Sequence, residues 1–162
     1  MGGKRVQQGL SDLRNGKPGQ FKLNIRPFAK ELILKLSKHF NVLIFTASQQ
    51  SYADPLIDIV DPEKVVEHRL YRKNCTLVNE KVYIKNLEVV RGRQLKDMVL
   101  IDNMVYNYVA HFNNGIPVEP FTDQADDNAL VLLYNYLLGF AEVEDVRVKI
   151  KADLQYAQFF KK

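Results

Sequence analysis

Residues 41–48, which read Asn-Val-Leu-Ile-Phe-Thr-Ala-Ser, constrain the fold of this 162-residue chain more than any other stretch. From Val42 to Phe45 the apolar residues follow one another with no polar residue between them. Such a run is typical of a strand that is buried on both faces, as in a parallel sheet covered by helices. Because ligands of open α/β sheets bind beyond the carboxyl ends of the strands, we expect Thr46 to lie at a binding site.

A second segment of the same kind, residues 98–103, reads Met-Val-Leu-Ile-Asp-Asn. Here the apolar run ends in a carboxylate, Asp102, and an amide, Asn103. Two buried strands that end in a hydroxyl and in oxygen ligands predict a shared pocket for a phosphate and a hard cation. The alternative is two ordinary strands followed by polar residues, and the pattern alone does not separate these interpretations.

Helical and extended patterns alternate along the rest of the chain. Strands are predicted at 21–25, at 82–84 and, at a sheet edge, at 116–118, and helices at 27–40, 51–60, 126–140 and 144–160. Three of these helices carry an apolar stripe that should face the core, formed by Phe28, Leu32, Leu36 and Phe40 in the first, by Leu130, Leu133, Leu137 and Leu138 in the third, and by Val146, Ile150 and Leu154 in the fourth. Strands that alternate with helices imply an α/β sandwich. Residues 1–20 are polar and rich in glycine, which predicts a flexible N-terminal tail ahead of one domain at 21–160.

Composition limits the classes of partner. The net charge of +4, from 23 Lys and Arg against 19 Asp and Glu, permits an acidic partner such as a phosphopeptide without requiring one. The chain has no apolar run of transmembrane length, and its basic residues have no interleaved aromatics. We therefore expect neither a membrane nor a nucleic acid as partner. Cys75 is the only cysteine, which favours a reducing, intracellular location, nuclear or cytoplasmic.

Several short motifs occur along the chain in a fixed order. They are Ile25-Arg26-Pro27, Phe45-Thr46-Ala47-Ser48, Tyr52-Ala53-Asp54-Pro55, Arg69-Leu70-Tyr71-Arg72 with Cys75, Tyr83-Ile84-Lys85, Gly92-Arg93-Gln94-Leu95, Ile101-Asp102-Asn103 and Asn114-Gly115-Ile116-Pro117. In this order and spacing they resemble the catalytic domain of the RNA polymerase II carboxy-terminal-domain phosphatases, the FCP/SCP type of the haloacid dehalogenase superfamily. The resemblance covers residues 21–156 and implies a three-layer α/β sandwich with a central parallel sheet.

The resemblance also implies roles for individual residues. The family forms an aspartyl-phosphate on an aspartate nucleophile and uses magnesium to neutralise the transferring group. Thr46 and Ala47 match the motif that binds the phosphoryl oxygens, and Lys85 matches the basic residue that pairs with the phosphate. Asp102 and Asn103 match the motif that holds the magnesium ion. Without the resemblance, Lys85 would be interpreted as a solvated lysine after a strand.

The chain departs from the family pattern at its front. The nucleophile of the family lies in an Asp-x-Asp-x-Thr motif after an apolar strand, and the 162 residues contain neither upstream of Arg26. Asp12 is the only acid there, and it has no partner carboxylate two residues on. In the superfamily the missing strand lies in the middle of the sheet, between the strand that ends at Thr46 and the one that ends at Asp102. Asn86 and Met104 stand where relatives commonly have an aspartate and a small residue.

Three functions remain open from the sequence. The first is a serine/threonine protein phosphatase domain, inactive as this chain stands, whose relatives hydrolyse phosphomonoesters on phosphoserine or phosphothreonine proteins. The carboxy-terminal domain of RNA polymerase II is one candidate substrate. The second is a non-catalytic relative that binds phosphopeptides or partner proteins. The third is a remnant that does not fold. With the first-motif aspartates absent, we expect weak magnesium binding or none.

Overall fold

The computed structural model describes residues 23–154. Its helices are α1 (Ala29–Leu36), α2 (Gln50–Val60), α3 (Ala129–Leu138) and α4 (Val146–Leu154), and its strands are β1 (Leu43–Phe45), β2 (His68–Leu70), β3 (Thr76–Val78), β4 (Val82–Ile84), β5 (Leu100–Asp102) and β6 (Gly115–Pro117). Short 3₁₀ helices cover Arg72–Asn74, Leu87–Val89, Leu95–Asp97 and Val105–Asn114. The tail predicted at 1–20, the start of the strand predicted at 21–25 and the helix end predicted at 155–160 lie outside the described residues.

The strands form three pairs. β1 runs parallel to β2, with Leu43 opposite His68 and Phe45 opposite Leu70. β5 runs parallel to β6, with Leu100 opposite Gly115, and β3 and β4 form an antiparallel hairpin. Within residues 23–154, β1 and β5 each have a single neighbouring strand, and no ladder joins them. The two strands predicted to carry the site therefore lie in separate parallel pairs.

The strand β1 differs from the prediction in its burial. Full burial on both faces was expected from its unbroken apolar run, but Leu43, Ile44 and Phe45 are half-buried. The physical reason is that β1 has a ladder partner on one edge alone among the described strands, so its side chains are packed from one side.

The extended segment predicted at 21–25 is also different in its described part. Residues 23–26 form no strand. Side chains hold this segment instead of a ladder: the Asn24 amide donates to the Thr122 carbonyl at 2.9 Å, and the Arg26 guanidinium donates to the Glu119 carbonyl at 2.6 Å. Arg26 also forms a two-bond ion pair with Asp127, at 2.9 and 2.8 Å. These bonds fasten the segment to the loop before α3.

The largest hydrophobic core lies between the helices and β6. Its buried members come from α1, β6, α3 and α4 and from the turn that follows α3: Leu36, Ile116, Leu133, Leu137, Phe140, Val146 and Ile150. A smaller cluster packs α2 against β2 through Ala53, Ile57 and Tyr71. A third, formed by Leu87, Leu100 and Tyr108, packs the segments beside β5. The apolar stripes predicted for α1, α3 and α4 thus supply most of the core.

The segment Val105–Asn114 packs closely against β6. Tyr108 is fully buried, and a Cβ atom added to Gly115 would come within 2.0 Å of its ring. Real Cβ contacts do not reach this distance, so glycine is needed where β6 begins. Asn114 is buried as well and donates to the carbonyls of Leu95 and Met98 at 2.6 and 2.7 Å. These contacts fix the segment that follows Asp102.

Across residues 23–154, the helices all lack the length and apolar character that a membrane crossing requires.

Candidate functional site

The first half of the site lies at the carboxyl end of β1. The Thr46 amide donates to the Leu70 carbonyl at 2.9 Å, which continues the ladder with β2 by one bond. The Thr46 hydroxyl oxygen accepts the Ser48 amide at 3.1 Å, so the chain turns directly after the strand and α2 begins at Gln50. The turn presents a hydroxyl, which can still donate its own hydrogen, at the sheet edge where ligands bind in open α/β sheets.

The second half lies at the carboxyl end of β5. The Lys85 ammonium, just after β4, donates to Asp102 Oδ2 at 2.5 Å, and both side chains are buried, with 10% and 5% of their surface exposed. Asp102 Oδ1 accepts two further bonds of 2.8 Å, from the Met104 amide and from the Asn107 side chain. The carboxylate is therefore engaged on both oxygens.

The two halves meet around the Lys85 ammonium. Its nitrogen lies 6.0 Å from the centre of the Phe45 ring, at the last residue of β1, as well as beside Asp102 at the last residue of β5. Cys75 Sγ lies 3.9 Å from the Thr46 carbonyl. Burial raises the pKa of the Cys75 thiol, and the positive charges of Lys85 and Arg72 oppose that rise. The ends of β1 and β5 thus both lie near the Lys85 ammonium, and the shared pocket for a phosphate and a cation stays a prediction.

Arg72 belongs to the same surface, although sequence reasoning gave it no role. Its side chain donates from Nε to the Ala47 carbonyl at 2.7 Å, and its guanidinium carbon lies 5.1 Å from the centre of the Tyr83 ring. Its amide donates to the Ser48 carbonyl at 2.9 Å. The available signal was topological: β2 is parallel to β1, so residues just after β2 lie at the same sheet edge as Thr46.

Asn103 and Met104 are both exposed beside Asp102. The side-chain amide that contacts the Asp102 carboxylate comes from Asn107, four residues beyond Asn103. Met104 points outward with 39% of its surface exposed, and its contribution to Asp102 is its main-chain amide.

The described residues do not by themselves fit a resident magnesium ion. Magnesium in proteins is bound through one or two carboxylates together with water and substrate phosphate. Asp102 supplies one carboxylate, and both of its oxygens already accept hydrogen bonds from Lys85, Met104 and Asn107. In the described part of the chain no group of three or more His, Cys, Asp or Glu side chains comes together in a way that could hold a metal ion.

A network of charged groups supports the Thr46 side of the site. The Tyr71 hydroxyl donates to Asp54 Oδ1 at 2.5 Å, and Arg69 bridges Asp54 and Asp58 on α2. The hydrogen bond from Tyr71, followed by those of Gln50 and Arg69, lowers the pKa of Asp54. These bonds hold β2 and the turn after it against α2.

Thr46 and Ser48 also line a mostly apolar cavity of about 330 Å³ between the 23–26 segment and α2.

Comparison with known proteins agrees with these observations. The family profile described as NLI interacting factor-like phosphatase matches residues 4–147. The chain is 41% identical over 126 residues to CTD small phosphatase-like protein 2 of Dictyostelium discoideum, covering 78% of this chain and 22% of that protein. It is 38% identical over 129 residues to Phosphatase PSR1 of Saccharomyces cerevisiae, covering 80% of this chain and 28% of that protein. The chain thus spans less than a third of the length of these two relatives.

A solved structure gives the fold. The chain is similar to fission yeast RNA polymerase II CTD phosphatase Fcp1 bound to beryllium fluoride, with a TM-score of 0.52 and 18% identity. The match covers 84% of this chain and 40% of the Fcp1 chain. At this identity the likeness concerns the fold alone, and it confirms the predicted α/β, haloacid dehalogenase-like class. The family is supported instead by the profile match over residues 4–147 and by the identity to the two relatives named above.

Proposed function

Because the chain belongs to the NLI interacting factor-like phosphatase family, we propose that it carries the phosphate-binding half of a serine/threonine protein phosphatase domain. We also propose that these 162 residues do not hydrolyse phosphomonoesters on their own. The observation that carries the proposal is the buried Lys85–Asp102 pair, whose ammonium lies beside the carboxyl ends of both β1 and β5.

Lys85 and Thr46 suit a phosphoryl group by their chemistry. An ammonium is a compact charge that pairs with phosphate oxygens, and it is strengthened where water is excluded, as at Lys85 with 10% of its side chain exposed. The Thr46 hydroxyl can donate to a second oxygen. Arg72, fixed by the Ala47 carbonyl and the Tyr83 ring, adds a guanidinium at the same edge and suits the rest of an anionic peptide.

Hydrolysis requires a group that the 162 residues do not provide. An aspartyl-phosphate forms when a carboxylate oxygen attacks phosphorus, so the carboxylate must be accessible and oriented. Asp102 is 95% buried at its side chain, and its two oxygens already accept three hydrogen bonds. The sequence has no Asp-x-Asp-x-Thr that would supply another carboxylate. We propose that magnesium binds weakly or not at all for the same reason, since Asp102 offers one occupied carboxylate.

The substrate class follows from the relatives. Two relatives, both of Dictyostelium discoideum, are named CTD small phosphatase-like protein 2 and Probable C-terminal domain small phosphatase. We propose a phosphoserine or phosphothreonine segment of a protein as the ligand, with the RNA polymerase II carboxy-terminal domain as one candidate. The second candidate function is a non-catalytic relative that binds phosphopeptides. The observation that favours it is the retention of Lys85, Thr46 and Arg72 at one edge without the nucleophile motif. A nuclear or cytoplasmic location accords with a single cysteine, Cys75.

A turnover assay tests the proposed lack of hydrolysis. The 162-residue chain is incubated with p-nitrophenyl phosphate or a phosphoserine peptide in magnesium buffer, and we expect no release of product above the blank. Magnesium-dependent turnover that disappears in both Thr46→Ala and Lys85→Ala would contradict the proposal. If that turnover also disappeared in Asp12→Asn, Asp12 would be the nucleophile.

A binding titration separates the two candidate functions. Inorganic phosphate and a phosphoserine peptide are titrated into the chain and followed by ³¹P NMR. A phosphatase domain without its nucleophile should bind both weakly, whereas a phosphopeptide-binding module should bind the peptide far more tightly than phosphate. Lys85→Ala should abolish binding in either case. Binding that persists in Lys85→Ala would place the anion elsewhere and overturn the proposal.

A further inference from the structure

We propose that Asn107 is a positioning residue that fixes the Lys85–Asp102 pair from both sides. Its side chain donates from Nδ2 to Asp102 Oδ1 at 2.8 Å, and its main-chain carbonyl accepts the Lys85 amide at 2.7 Å. One residue therefore contacts the carboxylate through its side chain and the backbone of the lysine through its carbonyl. The inference deepens the proposed function and depends on it for the meaning of the site.

The two carboxylate oxygens of Asp102 accept hydrogen bonds from different donors. Oδ1 accepts the Asn107 side chain and the Met104 amide, and Oδ2 accepts the Lys85 ammonium. Two donors on Oδ1 fix the plane of the carboxylate, so Oδ2 keeps its direction toward Lys85. In a buried pair the energy depends strongly on such geometry, because water cannot replace a badly aligned bond.

The segment that carries Asn107 is itself held in place. The Asn107 amide donates to the Met104 carbonyl at 2.9 Å, so the first turn after Asp102 closes over the carboxylate. The next residue, Tyr108, is fully buried against Gly115 of β6. Asn107 is thus held between a main-chain hydrogen bond to Met104 and a buried neighbour, Tyr108, which is the kind of support that a residue orienting others requires.

The chemistry selects an amide at this position. A neutral amide donates to a carboxylate without adding charge, whereas aspartate at the same place would put a second carboxylate against a buried one and would offer no donor. Asn107→Asp keeps the shape of the side chain and the main-chain bond to Lys85. It replaces the donor by a second carboxylate, which makes it the most disruptive substitution of similar shape, whereas Asn107→Ala removes the donor without adding charge. Asn113→Asp, on an exposed residue of the same 3₁₀ segment, makes the same charge change away from the site.

The test uses a signal from Lys85 itself. In ¹⁵N-labelled 162-residue chain, an ammonium held in a buried pair exchanges slowly and gives an observable ¹⁵N–¹H resonance, which Lys85→Arg identifies by its loss. We expect this resonance to be lost or strongly broadened in Asn107→Asp and kept in Asn113→Asp. Inorganic phosphate should bind about tenfold more weakly in Asn107→Asp, the factor that one charge-assisted hydrogen bond commonly represents. Circular dichroism of the same samples confirms that they are folded.

If Asn107→Asp does not fold, Asn107→Gln and Asn107→Ala replace it in the experiment. Asn107→Gln keeps the amide and should retain the Lys85 resonance at least in part, whereas Asn107→Ala should lose it. A resonance unchanged in folded Asn107→Asp or Asn107→Ala overturns the proposal, and so does a wild-type chain without a protected Lys85 resonance, since there would be no fixed pair to position. Failure of the proposed function gives a different result: the Lys85 resonance responds to Asn107, but phosphate does not bind to the wild-type chain.

Discussion

Lys85 and Asp102 form the most buried ion pair among the described residues, with 10% and 5% of their side chains exposed. Removing two charges from water is costly, and the pair recovers that cost through close geometry and the extra bonds on Asp102 Oδ1. If one partner is removed, the other remains buried without compensation. We therefore expect the two residues to behave as one unit in folding.

A double-mutant cycle tests this coupling. Lys85→Met and Asp102→Leu should each lower the free energy of unfolding by ~3–5 kcal/mol, because each leaves one buried charge unpaired. The double variant should recover most of that loss, since apolar residues replace both charges. Urea unfolding measures all four proteins. A double variant that loses as much as the sum of the two single variants would show that the residues are not coupled.

The site residues were predictable to different degrees for physical reasons. Thr46 and Asp102 follow apolar strands, and that pattern is visible in the sequence. Lys85 was identified through the order of the motifs, because a lysine after a strand carries no signal of burial. Arg72 contacts the main-chain carbonyl of Ala47, and the main-chain carbonyl of Asn107 accepts the amide of Lys85. Each partner is more than 20 residues away in the sequence, so no local pattern encodes these contacts.

At the scale of elements, the helices follow from their apolar periodicity, and β1, β4, β5 and β6 overlap the strands predicted from the sequence. Among the described residues, β2 and β3 were not predicted. The stripes of α1, α3 and α4 predicted their buried faces, since helices pack through such stripes. β2 was missed because its sequence, His-Arg-Leu, is charged. Its Arg69 is accommodated by Asp54 and Asp58 on α2, a tertiary contact that the sequence does not display. The helix predicted from 126 begins at Ala129, and Asp127 pairs with Arg26 ahead of it.

The Arg26–Asp127 pair connects the first described segment to α3 and should depend on pH. The hydrogen bonds from Arg26, then the Ala129 amide, lower the pKa of Asp127 from its ordinary 3.8. A lowered native pKa means that the contribution is complete above about 3.8 and is lost as pH falls through the native value. Asp127→Asn should therefore reduce the melting temperature by several degrees near neutral pH and by progressively less in acid.

The measurement is a series of thermal melts of the wild type and Asp127→Asn from about pH 7 down to about pH 2, which includes the range below 3.8 where the contribution of the ion pair is lost. Asp126→Asn, at an exposed neighbouring residue, is the matched control and should follow the wild type throughout. A difference between the wild type and Asp127→Asn that stays constant with pH would mean that the ion pair does not contribute.

At the scale of the whole molecule, the carboxyl ends of β1 and β5, two strands that are not paired with each other, both lie near the Lys85 ammonium. The Lys85 ammonium contacts Asp102 at the end of β5 and lies near Phe45 at the end of β1, yet no ladder joins β1 and β5 within residues 23–154. Facing edges without partners leave backbone groups unpaired and apolar side chains incompletely covered. We infer that a strand position lies between them, and that leaving it empty costs several apolar side chains at about 1.5–3 kcal/mol each.

We expect the 162-residue chain to be only marginally stable. A loss of that size is a large part of the typical total of about 5–15 kcal/mol. A ligand that binds the folded state alone raises the melting temperature by mass action, so a strand-forming peptide should stabilise the chain in proportion to its concentration. Without the peptide, the facing edges of β1 and β5 could pair with those of another copy of the chain. This pairing would be seen as aggregation, which the peptide should suppress.

Our central inference is that β1 and β5 flank a strand position that no strand within residues 23–154 fills, beside the proposed phosphate site. Its most direct test adds a peptide that carries the first-motif strand and Asp-x-Asp-x-Thr of a relative, and measures melting temperature and hydrolysis of p-nitrophenyl phosphate in magnesium buffer. We predict a higher melting temperature and new hydrolysis, with the hydrolysis alone lost when the first aspartate of the peptide is changed to asparagine. Cooperative, monomeric unfolding that the peptide leaves unchanged, without hydrolysis, would contradict the claim.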